Sequence, residues 1–313
     1  MNPSDIRIFL FHRVSDSEGG WGHATSVAMF ERCVQYITRN FTVKTVEECL
    51  ANAGKATKGS KPNACITFDD GFKDNIKYAL PILDKYKIKA SFYIVTGCID
   101  KDLPTWPHLY YNLFENTGKL NLLIDSKHLG GGVDKKFSSK EDRMQYGSEL
   151  LEKLKLVPYH EVEKVLDSIM QSFSDVPMPE KMMMSWDDIK QLSSAGFTIG
   201  SHTHSHPLLP LMVDDTRLMH ELTYSAERIK DACGKLPETI AYPLGVTDDR
   251  VMKTAREAGY KYGLTVEQRF YSPAHDTNLM AIPRVDIYSD SGWFKTYLRL
   301  SGKMEMIKKI LGR

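Results

Sequence analysis

The chain has 313 residues, of which 42% are hydrophobic, enough to fill the core of one large domain or of two ordinary ones. Its 41 basic residues against 40 acidic ones give a formal net charge of +1, so the overall charge does not indicate nucleic acid or a polyanionic substrate as a partner. No stretch approaches the roughly 20 apolar residues that a membrane-spanning helix needs, and we expect a soluble protein.

The N-terminus and the cysteines predict a cytoplasmic protein. The sequence MNPSDIRIFLFHRV (1–14) has an acidic residue before a short apolar run and no small-residue cleavage site, which argues against a signal peptide. The five cysteines are odd in number and include no C-x-x-C pair, so we expect buried thiols in a reducing compartment.

Short apolar runs alternate with amphipathic segments along most of the chain. Seven runs are typical of β-strands: IRIFLF (6–11), ACITF (64–68), ASFYIV (90–95), FTIG (197–200), TIAYP (239–243), KYGLTV (261–266) and LMAIPRV (279–285). Helical patterns lie between most of them, at residues 75–86, 185–196, 214–233 and 247–259. This alternation predicts an α/β fold with a parallel sheet, either open or closed into a barrel.

The alternation is interrupted from about residue 100 to residue 184. This region has the patterns of helices and loops, and the segment HLGGGVDKK (128–136) is typical of a flexible connection. Because the alternation resumes at Ser185, we interpret the region as an insertion between two core strands. It either binds substrate or a partner, or simply packs over the barrel. We therefore predict a single domain, 1–313, with a helical insertion at about 100–184.

Residues suited to metal binding follow two of the predicted strands. Asp69 and Asp70 come directly after ACITF, and two neighbouring carboxylates repel each other unless they share a cation or a proton. His202 and His206, four residues apart, follow FTIG. Sites in parallel α/β folds are built where the C-terminal ends of the strands meet, so we expect these residues to lie together. Two imidazoles and Asp70 would give a metal ion three protein ligands and an open position for water.

These motifs resemble those of a known family. TFDDGF (67–72), GSHTHSHP (200–207) and AYPLG (241–245) are similar to the motifs of the polysaccharide deacetylase family with the NodB-type homology domain, carbohydrate esterase family 4. Three further segments resemble, in sequence and in order, those of members encoded with bacterial surface-polysaccharide pathways: FLFHRV, SWDDIKQLSSAGFTIGSHT and IPRVDI. The resemblance spans roughly residues 6–287, apart from most of the insertion. It implies a distorted (β/α)7-type barrel of mainly parallel strands.

The resemblance also implies roles for individual residues. Asp69 matches the general base of the family, and Asp70, His202 and His206 match the ligands of one divalent metal ion. Thr203 matches a position that braces the metal-binding loop, whereas His204 matches no ligand position and receives no role. Two imidazoles and a carboxylate suit zinc, although cobalt, nickel, iron and manganese also accept this ligand set.

Two positions depart from the family pattern. Many members have arginine where Ala241 stands and tyrosine where Leu244 stands; the backbone N–H of Leu244 still matches the family's oxyanion donor. Without that arginine another group must orient Asp69, and our candidate is Arg284, because a guanidinium pairs with a carboxylate through two parallel hydrogen bonds. A structural ion pair of Arg284 with Asp286 or with a helix is an equal alternative.

The family's late catalytic histidine has no evident counterpart in this sequence. His12, after the first predicted strand, and His275, in a predicted loop, are the remaining candidates for a general acid. We favour His12, because the end of its strand should face the predicted site.

The resemblance predicts a metal-dependent N-deacetylase that acts on an N-acetylated sugar in a surface polysaccharide or its lipid-linked precursor. Two other functions stay open. One is a deformylase or another amidase that uses the same site on a different C–N bond. The other is a glycan-binding protein without activity, which the intact set of Asp69, Asp70, His202 and His206 disfavours, because a binding module needs no base beside a metal ion.

The C-terminal segment SGWFKTYLRLSGKMEMIKKILGR (291–313) carries six basic residues against the single acid Glu305, and its apolar residues recur at helix-like spacing. Such a segment can lie on an anionic membrane surface. That would place the enzyme at the cytoplasmic face of the inner membrane, where a lipid-linked substrate is presented. The alternative is a terminal helix that packs on the barrel and exposes a basic face.

Overall fold

A computed structural model describes residues 4–16, 24–53, 61–125, 129, 131–287, 292–304 and 307. The strands are β1 (Arg7–Phe11), β2 (Arg13–Val14), β3 (Ala24–Thr25), β4 (Thr42–Val43), β5 (Asn63–Phe68), β6 (Ser91–Ile94), β7 (Asn121–Ile124), β8 (Val133–Lys136), β9 (Thr198–Ser201), β10 (Thr239–Ala241), β11 (Tyr262–Leu264) and β12 (Val285–Asp286). The α-helices are α1 (Val27–Asn40), α2 (Val46–Ala51), α3 (Leu80–Lys85), α4 (Thr96–Lys101), α5 (Trp106–Asn116), α6 (Lys140–Leu154), α7 (Tyr159–Ser172), α8 (Trp186–Ser194), α9 (Asp215–Cys233), α10 (Asp249–Glu257) and α11 (Gly292–Leu300).

Three shorter helical segments complete the described secondary structure. A π-helical segment (Asn75–Ala79) leads into α3, and single 3-10 turns lie at Leu209–Leu211 and Pro243–Gly245. None of the described helices combines the length and the hydropathy that a membrane-spanning segment needs.

The main sheet is parallel and closes into a distorted barrel. Its strands run in the order β11-β10-β9-β6-β5-β1-β12, and the short strand β4 pairs with the beginning of β5. The Ile282 N–H donates to the Gly263 carbonyl of β11 at 2.8 Å, while Val285 pairs with Phe9 of β1. One segment thus joins both edges of the sheet. The (β/α)7-type fold predicted from the sequence is confirmed.

All seven predicted core strands are present, but the last is shorter than its apolar run. Of the run at 279–285 only Val285 lies in β12, and Ile282 makes an isolated bridge to β11. Pro283 lies between these two contacts and has no N–H to donate, which explains the interrupted ladder.

Apolar side chains fill the end of the barrel where the strands begin, and polar side chains lie at the end where the strands finish. The buried apolar cluster contains Ile6, Ile8, Val46, Cys49, Leu50, Cys65, Tyr93, Ala241, Leu264, Tyr271 and Ile282. α2 supplies three members of this cluster, and its Val46 N–H donates to the Ser91 hydroxyl at the start of β6. Because this helix occupies the end where the strands begin, the other end, where they finish, is left for the site.

The outer helices bury one apolar face each. In α1 the buried residues Phe30, Cys33, Val34 and Ile37 recur at the spacing of a helix face, and Ser26 caps the first turn. All five cysteines carry free thiols; three of them are buried and two are half-buried.

The region from α4 to α7 interrupts the barrel between β6 and β9 and has its own hydrophobic core, which includes Tyr110, Phe114, Leu150, Val165 and Phe173. It also contains the antiparallel hairpin β7–β8, whereas the sequence analysis predicted only helices and loops. The sequence of β8, VDKK, lacks an apolar alternation, so its extended state depends on pairing with β7. Residues 128 and 130 of the predicted flexible connection lie outside the described residues.

The described part of the basic C-terminal segment packs on the barrel. In α11 the Trp293 ring lies 4.0 Å from the Arg32 guanidinium of α1, and Leu300 is buried, while Phe294 is 72% exposed. This is the arrangement of a terminal helix that packs on the core. Residues 291, 305, 306 and 308–313 lie outside the described residues, and the membrane contact of segment 291–313 stays a prediction.

Candidate active site

The first polar element of the site is the turn after β5. The Asp69 N–H donates to the Phe11 carbonyl at 3.0 Å and so still belongs to the sheet edge. Asp70 takes a left-handed backbone with φ 73°, and Gly71 follows with φ 90°. Aspartate tolerates this conformation better than most residues, because its short polar side chain can bond locally. The turn brings both carboxylates to the wall of one cavity.

The second element is the loop after β9, which carries His202 and His206. Thr203 and His206 have positive φ values of 69° and 59°. The Thr203 N–H donates to the Ser201 hydroxyl at 3.1 Å, and the Thr203 hydroxyl oxygen accepts the His206 N–H at 3.0 Å. Thr203 therefore braces the loop in the way that its sequence match implied.

Glu221 of α9 and Gly97 of α4 hold the middle of the same loop. The Glu221 carboxylate accepts the backbone N–H groups of His204 and Ser205 at 3.0 and 2.9 Å, together with the Ser205 hydroxyl. The Gly97 N–H donates to the His204 carbonyl at 2.8 Å, and a Cβ on Gly97 would lie only 2.6 Å from that oxygen. His204 thus contributes to the loop through its backbone, a role that the sequence analysis did not assign.

The three predicted ligands converge. The ligating atoms of Asp70, His202 and His206 all lie within 4.8 Å of one another. Asp70 Oδ1 is 3.6 Å from Nε2 of each histidine. His202 Nδ1 lies 2.7 Å from the Ala241 carbonyl, which can only accept, so Nδ1 carries the proton and Nε2 presents its lone pair towards Asp70.

This group has the properties of a metal site. Among the described residues, Asp70 Oδ1 is a buried carboxylate oxygen without a hydrogen-bond partner, which is costly unless another group compensates. Burial lowers the pKa of His206 to about 3, so its ring is neutral and keeps a lone pair for a ligand bond. Two ligand atoms bound to one zinc ion at a tetrahedral angle lie ~3.4 Å apart, close to the observed spacing. The residues present fit a divalent metal ion.

Asp69 is held by Arg284. Nη1 and Nη2 of the guanidinium donate to the two carboxylate oxygens, each at 2.7 Å, and both side chains are buried. Arg284 also donates to the Thr265 carbonyl and to the Thr67 hydroxyl. Burial acts to raise the pKa of Asp69, but the charge and hydrogen bonds of Arg284, together with the nearby imidazoles of His202 and His12, outweigh it and hold this pKa at about 2. The structure thus contains the bidentate pair that was proposed from the sequence.

His12 and Leu244 line the same cavity, which has a volume of about 260 Å³. Leu244 has a left-handed backbone with φ 56°, and its side chain is 43% exposed. Gly245 follows with φ 71°, and a Cβ there would lie 2.5 Å from the Val266 nitrogen, so the turn requires glycine. His275, the other candidate acid, is exposed and is absent from the cavity wall.

Several further residues of the cavity wall were not assigned from the sequence: Leu10, Thr105, Pro107, His108, Val266 and Asp286. Asp286 lies two residues after Arg284, at the end of β12, so the strand-end argument that identified Asp69 could have found it. Thr105, Pro107 and His108 belong to the insertion. No local pattern marks them, because their place in the site depends on how the insertion folds back.

Comparisons with known proteins place the chain among deacetylases. A family model described as polysaccharide deacetylase matches residues 56–263. The poly-beta-1,6-N-acetyl-D-glucosamine N-deacetylase of Staphylococcus aureus strain MSSA476 is 27% identical over 279 residues, which are 86% of this chain and 69% of that protein.

Two solved structures share the fold. The Streptococcus pyogenes deacetylase PplD, in complex with acetate, matches with a TM-score of 0.61 and 17% identity over 91% of this chain and 93% of that one. IcaB from Ammonifex degensii matches with a TM-score of 0.58 and 18% identity over 95% and 97%. At these identities the structural matches establish the fold alone.

Proposed function

Because the chain belongs to the polysaccharide deacetylase family, hydrolases that act on the amide of N-acetylated sugars, we propose that it is a metal-dependent N-deacetylase of a glycan. One observation carries the proposal: the Arg284-held carboxylate of Asp69 shares a cavity with the metal-ligand group of Asp70, His202 and His206. A protein that only binds glycan needs neither a buried base nor a set of metal ligands, so the inactive alternative is disfavoured.

Asp70, His202 and His206 are the residues that would hold the ion. When bound, a divalent ion would polarise the acetamide carbonyl and lower the pKa of water. Zinc suits two imidazoles and one carboxylate, and cobalt, nickel, iron and manganese remain compatible with the same ligands.

Asp69 is the proposed general base. Its Oδ2 lies 3.8 Å from His202 Nε2, directly beside the ligand group, and Arg284 fixes the orientation of both its oxygens. With a pKa of about 2, Asp69 is ionised at neutral pH and can accept the proton of the attacking water. His12, in the same cavity, is our candidate for the group that protonates the leaving amine.

The negative charge that develops on the carbonyl oxygen requires a hydrogen-bond donor. We propose the backbone N–H of Leu244, because this residue lies at the cavity wall and its left-handed conformation turns the chain there. Gly245 supports the turn, since its contact with Val266 leaves no room for a side chain.

The proposed substrate is an N-acetylated hexosamine unit of a surface polysaccharide or of its lipid-linked precursor. The name of the S. aureus relative, a deacetylase of poly-β-1,6-N-acetylglucosamine, supports this class. The cavity volume of about 260 Å³ lies just below the range typical of sites for drug-sized ligands, which suits a ligand as small as one sugar unit. A formamide would fit the same groups, so a deformylase is the second candidate.

The product distinguishes these functions. Acetate, formate and free amine are measured after incubation with β-1,6- and β-1,4-linked N-acetylglucosamine oligomers and with an N-formyl counterpart, before chelation, after chelation and after zinc is restored. We expect one acetate per amine formed, loss of activity on chelation and recovery with metal. Formate release alone would favour the deformylase. If folded, metal-loaded protein releases neither acetate nor formate, both functions are contradicted.

A further inference from the structure

His108 of the insertion lies in the candidate active site although nothing in the family motifs assigns it. We infer that the insertion forms one wall of the sugar-binding site and that His108 is a substrate-binding residue, which hydrogen-bonds the sugar unit whose acetamide is hydrolysed. The inference rests on the proposed function, because it names a contact to the substrate of that same cavity.

The position of His108 places it within reach of a bound sugar. Its ring lines the cavity together with Thr105 and Pro107, and its side chain is 17% exposed. Nδ1 lies 4.0 Å from Asp70 Oδ2. A sugar whose acetamide reaches Asp69 and Asp70 therefore has its ring or its neighbouring hydroxyl groups beside His108.

The imidazole is held in a fixed orientation before any substrate enters. His108 Nδ1 and the Thr105 hydroxyl oxygen lie 2.8 Å apart. The ring also packs edge-to-face on Phe72, with centroids 4.8 Å apart, and Phe72 is fully buried two residues after Asp70. A side chain that is already ordered loses little conformational freedom on binding, which is the arrangement that favours affinity.

His108 is not part of the metal-ligand group. The group of ligating atoms that lie within 4.8 Å of one another contains Asp70, His202 and His206 but not His108. With Nδ1 paired to Thr105, the hydrogen bond to a sugar hydroxyl or amide group falls to Nε2, which donates or accepts according to the tautomer of the ring. Pro107 and Val266 add apolar wall for the face of a sugar ring.

The insertion is fastened to the histidine loop, so its wall has a defined position. Just before the insertion, at the start of α4, the Thr96 N–H donates to the Thr203 carbonyl at 3.2 Å. In α7, the Tyr159 hydroxyl donates to the Ser205 carbonyl at 3.0 Å. These bonds reach the loop from two separate helices, α4, which leads into the insertion, and α7 within it. The site and the insertion are therefore one structural unit. An insertion that merely packed over the barrel would not need these hydrogen bonds to the histidine loop.

The test compares His108→Ala with the wild-type protein. kcat and KM are measured with a β-1,6-linked N-acetylglucosamine oligomer on metal-loaded protein, and the Kd of the same oligomer is measured by calorimetry on chelator-treated protein, where hydrolysis is absent. We expect His108→Ala to raise KM and Kd about tenfold, which corresponds to one lost hydrogen bond, with unchanged metal content. His108→Gln should recover part of the affinity.

His160→Ala is the matched control, because His160 belongs to the insertion, is 45% exposed and lies outside the cavity wall. It should leave KM, Kd and metal content unchanged. Wild-type KM and Kd in His108→Ala would overturn the inference, as would a loss of kcat alone or a loss of metal. If His108→Ala does not fold, Thr105→Val takes its place; a severalfold higher Kd is expected, and an unchanged Kd overturns the inference.

The outcomes separate this inference from the proposed function. Wild-type protein that releases no acetate but binds the oligomer through His108 contradicts only the deacetylase proposal. Wild-type protein that releases acetate while its Kd does not depend on His108 contradicts only the inference.

Discussion

Asp69→Asn is expected to lower kcat by about 10²- to 10⁴-fold, the range typical of a lost general base, while the protein keeps its metal ion. An amide cannot take the proton from the attacking water, but it preserves the shape of the side chain and can still accept a hydrogen bond from Arg284. The rate constant is measured with saturating metal, and metal content and thermal unfolding are measured on the same preparation.

Asp70→Asn is the control for this experiment. Asp70 belongs to the ligand group, so its amide variant should bind metal more weakly and should regain part of its activity when metal is added. Near-wild-type kcat in Asp69→Asn would place the base elsewhere. Metal content alone thus distinguishes the role of Asp69 from that of Asp70.

Arg284→Lys is expected to lower kcat at least tenfold, because an ammonium group cannot reproduce the planar fork that orients both oxygens of Asp69. The pair is buried, and breaking a buried ion pair by removal of one partner costs roughly 3–5 kcal/mol, so Arg284→Met should also lower the unfolding temperature. Turnover and thermal unfolding are measured for both variants.

Arg269→Lys provides the matched control. Arg269 also pairs with carboxylates, those of Glu267 and Asp276, but its side chain is partly exposed and lies outside the cavity wall. This variant should leave kcat unchanged. If Arg284→Lys lowers the unfolding temperature while its kcat stays at the wild-type value, Arg284 has a purely structural role.

The site concentrates backbone conformations that are rare for residues with side chains. Of the eight described non-glycine residues with positive φ, four belong to it: Asp70, Thr203, His206 and Leu244. Such conformations cost of order 1–3 kcal/mol each and persist only where the surrounding structure enforces them. Glu221 and Thr203 supply that enforcement in the histidine loop through hydrogen bonds to its backbone.

The parts of the molecule that could be predicted from the sequence are those with a local signal. The core strands are continuous apolar runs, and the polar residues directly after them, Asp69, Asp70 and His202, fall at one edge because parallel strands end together. Arg284 could be proposed as the partner of Asp69 for the same reason, since it lies at the end of the predicted strand 279–285.

Other features depend on contacts between distant segments and leave no local pattern. His108 reaches the cavity only because the insertion folds back against Phe72, which lies 36 residues earlier in the chain. Glu221 sits on α9 with no feature that distinguishes it from an exposed helix acid, until the helix packs beneath the histidine loop. The hairpin strand β8 was missed because its VDKK sequence has no apolar face of its own.

The central hypothesis is that Asp70, His202 and His206 hold one divalent metal ion beside Asp69. Elemental analysis of the protein purified in the presence of zinc, compared with His202→Ala and His206→Ala, tests it most directly. We expect about one metal ion per chain in the wild-type protein and almost none in either variant, with all three proteins folded. Unchanged metal content in both variants, or a folded wild-type protein that takes up no metal, would contradict the hypothesis.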